Sequence, residues 1–427
     1  CKYIQLSVLI FVVYFVLVSF LITKIPFFKK SGLSTYWLIG LFSLKIAAGI
    51  AYGLFYSQPQ YAEGSDTWRF FEASRTETDW LLRDPLTFFK DLFFYGYKES
   101  GSLFLANDSY WNDLKSNLVI KLMAAFNALT LKNYYADIIF FNFLFLFGPV
   151  ALYRVAREKV NPHNIILVLF VFCIPSFLFW CSGMHKDGLI FTAVSLIAFY
   201  FDRWLTKKSF SLTGILVSLV SICLLFAFRN FVLLLLLPAL LTWWLCERMP
   251  ARKTLAVVEV YILCLALFFA ARHVNPALDF PRYVVSKQNE FKALGGNSQI
   301  MVPALEPSFG GFLKFFPAAA DIAFLRPHVT ETANLAYLPA IGENIVVYLL
   351  LLYALFRFFL NRSEKFSASA ASFVIFCYCF AITNLILSGY TVTLTGAIVR
   401  YRSFVLPLLL VPLSNLIHIK KKRHNLN

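Results

Sequence analysis

Nine ionisable residues stand where an apolar chain has least reason to keep them. Asp66 and Arg69 lie in GSDTWRFFEAS, and Lys186 and Asp187 end PSFLFWCSGMHKD. Arg229 divides two apolar runs, Arg326 precedes a proline, and Glu343 opens another run. Arg400 and Arg402 sit two apart in GAIVRYRSFVLP. Charge beside a membrane-length apolar run is costly, so each is a functional candidate by default. Arginine grips phosphate oxygens in bidentate geometry, and lysine binds them as a point charge. A carboxylate can take the proton of an attacking hydroxyl. The set therefore fits group transfer from a phosphate-linked donor, with Asp66 as base and Lys186, Arg229, Arg400 and Arg402 on the phosphate. Arg69, Asp187, Arg326 and Glu343 are expected against the rest of the substrate. Each has a plainer reading. Asp66 could begin a helix, Lys186 and Asp187 could form a surface ion pair, Arg229 could reach the headgroups, and Glu343 could answer a helix dipole.

The elements that must carry these residues follow from composition. Of 427 residues, 59% are apolar and 15% charged. Soluble domains hold about 45–50% and about 25%, so the surplus apolar surface is expected to face lipid. A bilayer core needs about 20 apolar residues as helix. Eleven stretches meet that length: 4–23, 35–56, 135–153, 164–181, 187–204, 211–228, 231–246, 254–272, 342–360, 367–388 and 403–419. The sixth and seventh are divided only by Arg229-Asn230. Together they are too long for one span, so a tight hairpin is predicted. The expected fold is an all-α polytopic membrane protein, a single integral-membrane domain over 1–427.

The net charge of +16 does not mark a nucleic-acid binder. Its lysines and arginines fall in short clusters between apolar runs: Lys24/Lys29/Lys30, Arg154/Arg157/Lys159, Arg203/Lys207/Lys208, Arg248/Arg252/Lys253, Arg362/Lys365 and Lys420–Arg423. With eleven spans all six share one side, which the positive-inside rule makes cytoplasmic. Two long loops, 57–134 and 273–341, then lie outside. Their segments Asp84–Tyr97, Asn117–Leu131 and the stretch following Gly310-Gly311 read as amphipathic helices in the membrane interface. The cysteines lack CxxC spacing and read as packing residues rather than a zinc site. Lys45, mid-span, is expected to pack against a carbonyl or a buried acid. The first apolar run lacks a basic start and reads as a retained span.

Three passages carry a resemblance. GSDTWRFFEAS follows an early span, PSFLFWCSGMHKDGL holds a Pro-Ser…Trp-x-Ser-Gly-x-x-Lys-Asp pattern, and GAIVRYRSFVLPLLL closes the chain. In this order they resemble bacterial membrane glycosyltransferases of the GT-C superfamily, including polysaccharide-polymerase-like relatives. The resemblance implies transfer of a sugar from a polyprenyl-phosphate-linked donor to a glycan or lipid-linked acceptor, at the outer face of a bacterial inner membrane. It places the catalytic acid at Asp66 and the donor phosphate at the basic outer positions. GSDT holds one Asp rather than an adjacent acidic pair, so a divalent cation stays open and no other cofactor is implied. A repeat-unit polymerase or ligase is the close alternative. A flippase of lipid-linked sugars is the distant one, and the sequence shows no repeated pattern of broken helices to favour it.

Overall fold

The computed structural model describes residues 2–62, 65–98, 109–160, 165–208, 211–295, 298–331, 335–360 and 367–415. The chain opens with α1 (Lys2–Lys24), the short α2 (Pro26–Lys29) and α3 (Thr35–Tyr56). A turn, α4 (Pro59–Ala62), leads to a cap of α5 (Asp66–Arg83), α6 (Pro85–Lys90) and α7 (Tyr110–Thr130). Then come α8 (Tyr134–Lys159), α9 (Ile165–Phe172), α10 (Pro175–Trp180), α11 (Lys186–Lys207), α12 (Leu212–Arg248) and α13 (Lys253–Val274). A second cap holds α14 (Phe280–Leu294) and α15 (Phe309–Ala320). The chain continues through α16 (Leu338–Phe359), α17 (Ala368–Thr391), α18 (Thr395–Ser403) and α19 (Leu406–Leu410). Ser34, Ser65, Ser109, Asn133, Ser211, Ser308 and Ser367 each accept a backbone N–H of the helix they precede. They satisfy donors that the first helical turn leaves open.

Among the described residues, eight helices are long and apolar enough to cross a membrane, or up to nine if the bent pair α18–α19 is one span. Their burial sorts them. The α8 span is 78% buried, whereas the span containing α13 is 11% buried and presents its apolar surface outward. Helix α8 tolerates an interior proline, Pro149, because the freed carbonyl of Phe145 accepts from Thr192 Oγ1 at 3.4 Å. That repair meets the membrane's demand that backbone groups be satisfied within the protein. It needs α8 and α11 in close contact, and Gly148 permits it: a Cβ there would lie 2.8 Å from Thr192 Cα.

The basic clusters gather at one end of the bundle. Lys159 at the end of α8 pairs with Asp202 on α11 at 3.1 Å and donates to Ser369 on α17 at 2.6 Å. Arg203 pairs with Glu158 at 2.8 Å, Glu247 accepts from Ser369 at 2.7 Å, and Lys253 reaches Ser372 at 3.0 Å. Arg154 donates to Phe27 O at 3.2 Å. Four of the six expected clusters thus share an end. Arg362/Lys365 and Lys420–Arg423 lie outside the described residues.

Helix α12 has 37 residues, about 55 Å if straight. It is not straight. A Cβ on Gly214 would touch the Tyr200 ring at 2.8 Å, and the Trp243 ring lies 5.5 Å from that of Phe201. Both ends of α12 therefore meet the same end of α11, while its middle residue Arg229 reaches Asp187 at the other. The fold-back occurs at Arg229, whose backbone leaves helical geometry (φ −152°, ψ 79°). This is the hairpin that the run's length predicts.

Three expectations change. The span expected over 164–181 is two short helices. Pro175 has no N–H to continue the ladder and holds Ile174 extended (φ −64°, ψ 124°). The last expected span, 403–419, begins inside α18, and the pair α18–α19 bends by 60°. These two broken segments pack on each other, α9 against α19 and α10 against α18. The sequence reading found no such pattern. In the first cap, Asp84–Tyr97 is helical only over α6, because Phe94 and Gly96 take positive φ (55° and 82°). The amphipathic helices there are α5 and α7, and α14 was not foreseen.

The fold-back makes a labelling prediction. In a cysteine-free background, Ser211→Cys and Met249→Cys should react with an impermeant maleimide from one side of the membrane and Asn230→Cys from the other. Opposite-side labelling of 211 and 249 would contradict it.

Candidate functional site

Asp187 is the hub. Its side chain is fully buried at the first turn of α11, yet two arginines reach it. Arg400 Nε, from α18, lies 2.5 Å from Oδ2, and Arg229 Nη2, from the α12 fold, lies 2.5 Å from Oδ1. Arg400 also extends Nη1 to Asp66 Oδ2 at 3.4 Å, and Arg69 holds Asp66 Oδ1 at 3.2 Å. Four sequence-distant segments thus meet at one end of the bundle. Aromatic faces line the guanidinium groups. Arg229 lies 4.2 Å from the Tyr401 ring centre and Arg400 lies 5.4 Å from that of Trp180. Tyr52 and Tyr56 of α3 share the electrostatic field of Arg400.

Lys186 is partly buried and has no ion-pair partner among the described residues. Its ammonium feels Arg400, Arg229 and Lys115 as like charges and Asp187 as an opposite one. Buried Nε and Nη1 of Arg229 also lack hydrogen-bond partners among the described residues. Counting Arg69, Lys186, Arg229 and Arg400 against Asp66 and Asp187 leaves two positive charges unmatched. Such a surplus, with open donors, is the electrostatic arrangement that favours an anion.

The loop presenting Lys186 and Asp187 is pinned from three helices. Lys45 of α3 donates Nζ to Cys181 O at 2.8 Å and to Ser182 Oγ at 3.0 Å. Asn142 of α8 donates to Ser182 O at 2.9 Å, and Thr67 of α5 to Met184 O at 3.1 Å. Lys45 therefore packs against a carbonyl, as expected for it. His185 caps α11 by accepting the Asp187 N–H on Nδ1 at 3.1 Å, and its buried Nε2 has no partner among the described residues. Burial pushes its pKa below the ordinary value, against the pull of Asp187.

Arg402, Arg326 and Glu343 do not join this site. Two residues of helix turn through about 200°, so Arg400 and Arg402 leave α18 on opposite faces. Arg402 donates to Arg326 O at 2.9 Å, as does Asn344 at 3.2 Å. Arg326 is itself paired with Asp321 at 3.2 Å and with Glu331. Glu343 accepts from both N and Oγ of Ser176, each at 2.7 Å, and so caps the start of α10. This second cluster ties α10, α16 and α18 together. The shared phosphate site expected for Arg400 and Arg402 is thus split.

Sequence reasoning missed Tyr52, Tyr56, Trp180 and Asn142. The Trp in the PSFLFWCSGMHKD passage was visible, but the others are common residue types in apolar helices and carry no local signal. Among the described residues, no group of three or more His, Cys, Asp or Glu side chains is placed to hold a metal ion.

Two predictions arise here. Lys45→Met leaves Cys181 O and Ser182 Oγ without their donor, so unfolding in micelles should become easier by about 1–3 kcal/mol. His185 resists protonation when folded, whereas an unfolded chain protonates it near pH 6.5. Its contribution is whole above that pH and is lost as pH falls. The loss of thermal stability below pH 6.5 should therefore be shallower in His185→Gln than in the wild type.

No family model, curated protein or solved structure matches the chain.

Proposed function

We propose that the chain is a membrane glycosyltransferase of GT-C type. It moves a sugar from a polyprenyl-phosphate-linked donor to a glycan or lipid-linked acceptor, at the outer face of a bacterial inner membrane. The observation that supports this reading is the positive surplus around Asp187, with Lys186 lacking an ion-pair partner among the described residues, at the end of the bundle opposite the basic clusters. Positive charge opposite the basic end runs against the topology rule, and a donor phosphate at the headgroup layer offsets it.

In this reading Lys186, Arg229 and Arg400 hold the phosphate. The acceptor oxygen bonds to the anomeric carbon as the carbon–oxygen bond to phosphate breaks, and the phosphate leaves with that electron pair. Asp66, 35% exposed at the site's edge, takes the acceptor's proton. Arg69 and Asp187 keep Asp66 and the arginines in place. Arg402, Arg326 and Glu343 brace the neighbouring helices. A polymerase or ligase would use the same groups with a lipid-linked acceptor.

A flippase of lipid-linked sugars is the second reading, favoured by the two broken segments packed on each other. Transporters build binding sites from such discontinuous helices.

In proteoliposomes with a labelled polyprenyl-phosphate sugar, Asp66→Asn should lower transfer by about 10²-fold or more, with folded protein retained. Lys186→Met should weaken donor binding. Undiminished transfer by Asp66→Asn removes it as the base. Movement of label between leaflets with no new glycosidic bond would favour the flippase.

A further inference from the structure

A hollow in the first cap has a character opposite to that of the cationic site. A cavity of about 340 Å³ opens between α5, α7 and the turn after α6. Ligand pockets run upward from about 300 Å³, so it would hold a small ligand. Its walls carry Tyr95, Tyr97 and Tyr110, the carboxylates Glu77, Asp91 and Asp113, and the amide of Asn117.

Most of the polar wall is held in place. Tyr110 stacks on Phe94 at 4.1 Å with 15° between the rings and donates to Leu92 O at 2.5 Å. Glu77 and Asp91 share Lys121, each at 3.0 Å, and Asn117 donates to Asp91 at 3.0 Å. Lys121 is itself buried over the Trp80 and Phe88 rings. Asp113 accepts from Tyr97. Glu77 Oε1, Asp91 Oδ1 and Asp113 Oδ1 have no hydrogen bond among the described residues.

Three carboxylates and no cation line the hollow, and Lys121 behind it answers Glu77 and Asp91, so the lining disfavours a phosphate. The described residues offer no metal constellation there. Aromatic faces suit the C–H faces of a pyranose, and carboxylate and amide oxygens accept from its hydroxyls. The hollow also lies along α5 from Asp66. Asp66, Ala73 and Glu77 share one face of α5. Seven residues, about 10 Å of helix, separate Asp66 from Ala73. Lys115, two residues past Asp113 on α7, feels the charges of both Asp66 and Asp113.

We infer that this cavity binds an uncharged saccharide, the glycan acceptor, and aims its free hydroxyl at Asp66. The binding claim stands on the cavity. The acceptor role rests on the transferase reading.

The test is direct binding of maltose, cellobiose and N,N′-diacetylchitobiose to the full-length protein in nanodiscs, by saturation-transfer NMR. At least one should bind the wild type. Tyr95→Ala, at an exposed side chain, and Asp113→Asn should each weaken it about tenfold or more (about 1.4 kcal/mol). Arg75→Gln, outside the lining, should bind as the wild type, and inorganic phosphate should not compete. Binding of none of the three, binding indifferent to Tyr95→Ala, or displacement by phosphate overturns the inference. Saccharide binding that depends on Tyr95, in a protein that transfers no sugar, keeps the cavity and discards the transferase reading.

Discussion

A carboxylate sealed from solvent must be paired, and Asp187 is paired twice. Its partners come from the fold-back of α12 and from α18, so one buried oxygen pair fixes where two separate segments end. Neither arginine could sit at this depth without it, and removing one partner of a buried pair costs about 3–5 kcal/mol. The remaining organisation follows from placing that carboxylate. It stands on the first turn of α11, so the preceding loop must be rigid. Lys45, Asn142 and Thr67 make it so by bonding three of its carbonyls.

Broken helices in an apolar setting leave backbone groups that water cannot reach. The chain answers with side chains. Glu343 takes the Ser176 N–H at the start of α10, and Thr192 Oγ1 donates to the Phe145 carbonyl that Pro149 leaves open. Arg402 and Asn344 converge on the carbonyl of Arg326. The Glu343, Arg402 and Asn344 bonds hold the two broken segments against α16, and the cationic cluster stands beside that frame. An arginine-rich cluster around Asp187 and a hollow lined by carboxylates and tyrosines along α5 give this end of the bundle two regions of opposite charge.

Much of the frame was legible in the chain. Apolar length gave a helical membrane bundle, because lipid leaves few other ways to satisfy a backbone. Basic clusters gave a common end, since each follows or precedes an apolar run. The hairpin at Arg229 was legible because one helix of 37 residues overruns a bilayer. The break at Pro175 was not, because residues 164–181 are apolar enough to span and hydropathy does not register a missing N–H. The helix expected over Asp84–Tyr97 failed similarly, its apolar spacing being overruled by two left-handed residues.

For the site, the sequence determined which ionisable groups stand at the ends of apolar runs, since charge type and distance along the chain are local properties. It could not determine who meets whom. Arg400 and Arg402 look equivalent in RYR, yet helical geometry sends one to Asp187 and the other to Arg326. Glu343 and Asp66 look alike as run-edge carboxylates, yet one caps a helix in the interior and the other faces the opening. Those choices depend on which helices are neighbours, and long-range packing alone decides that.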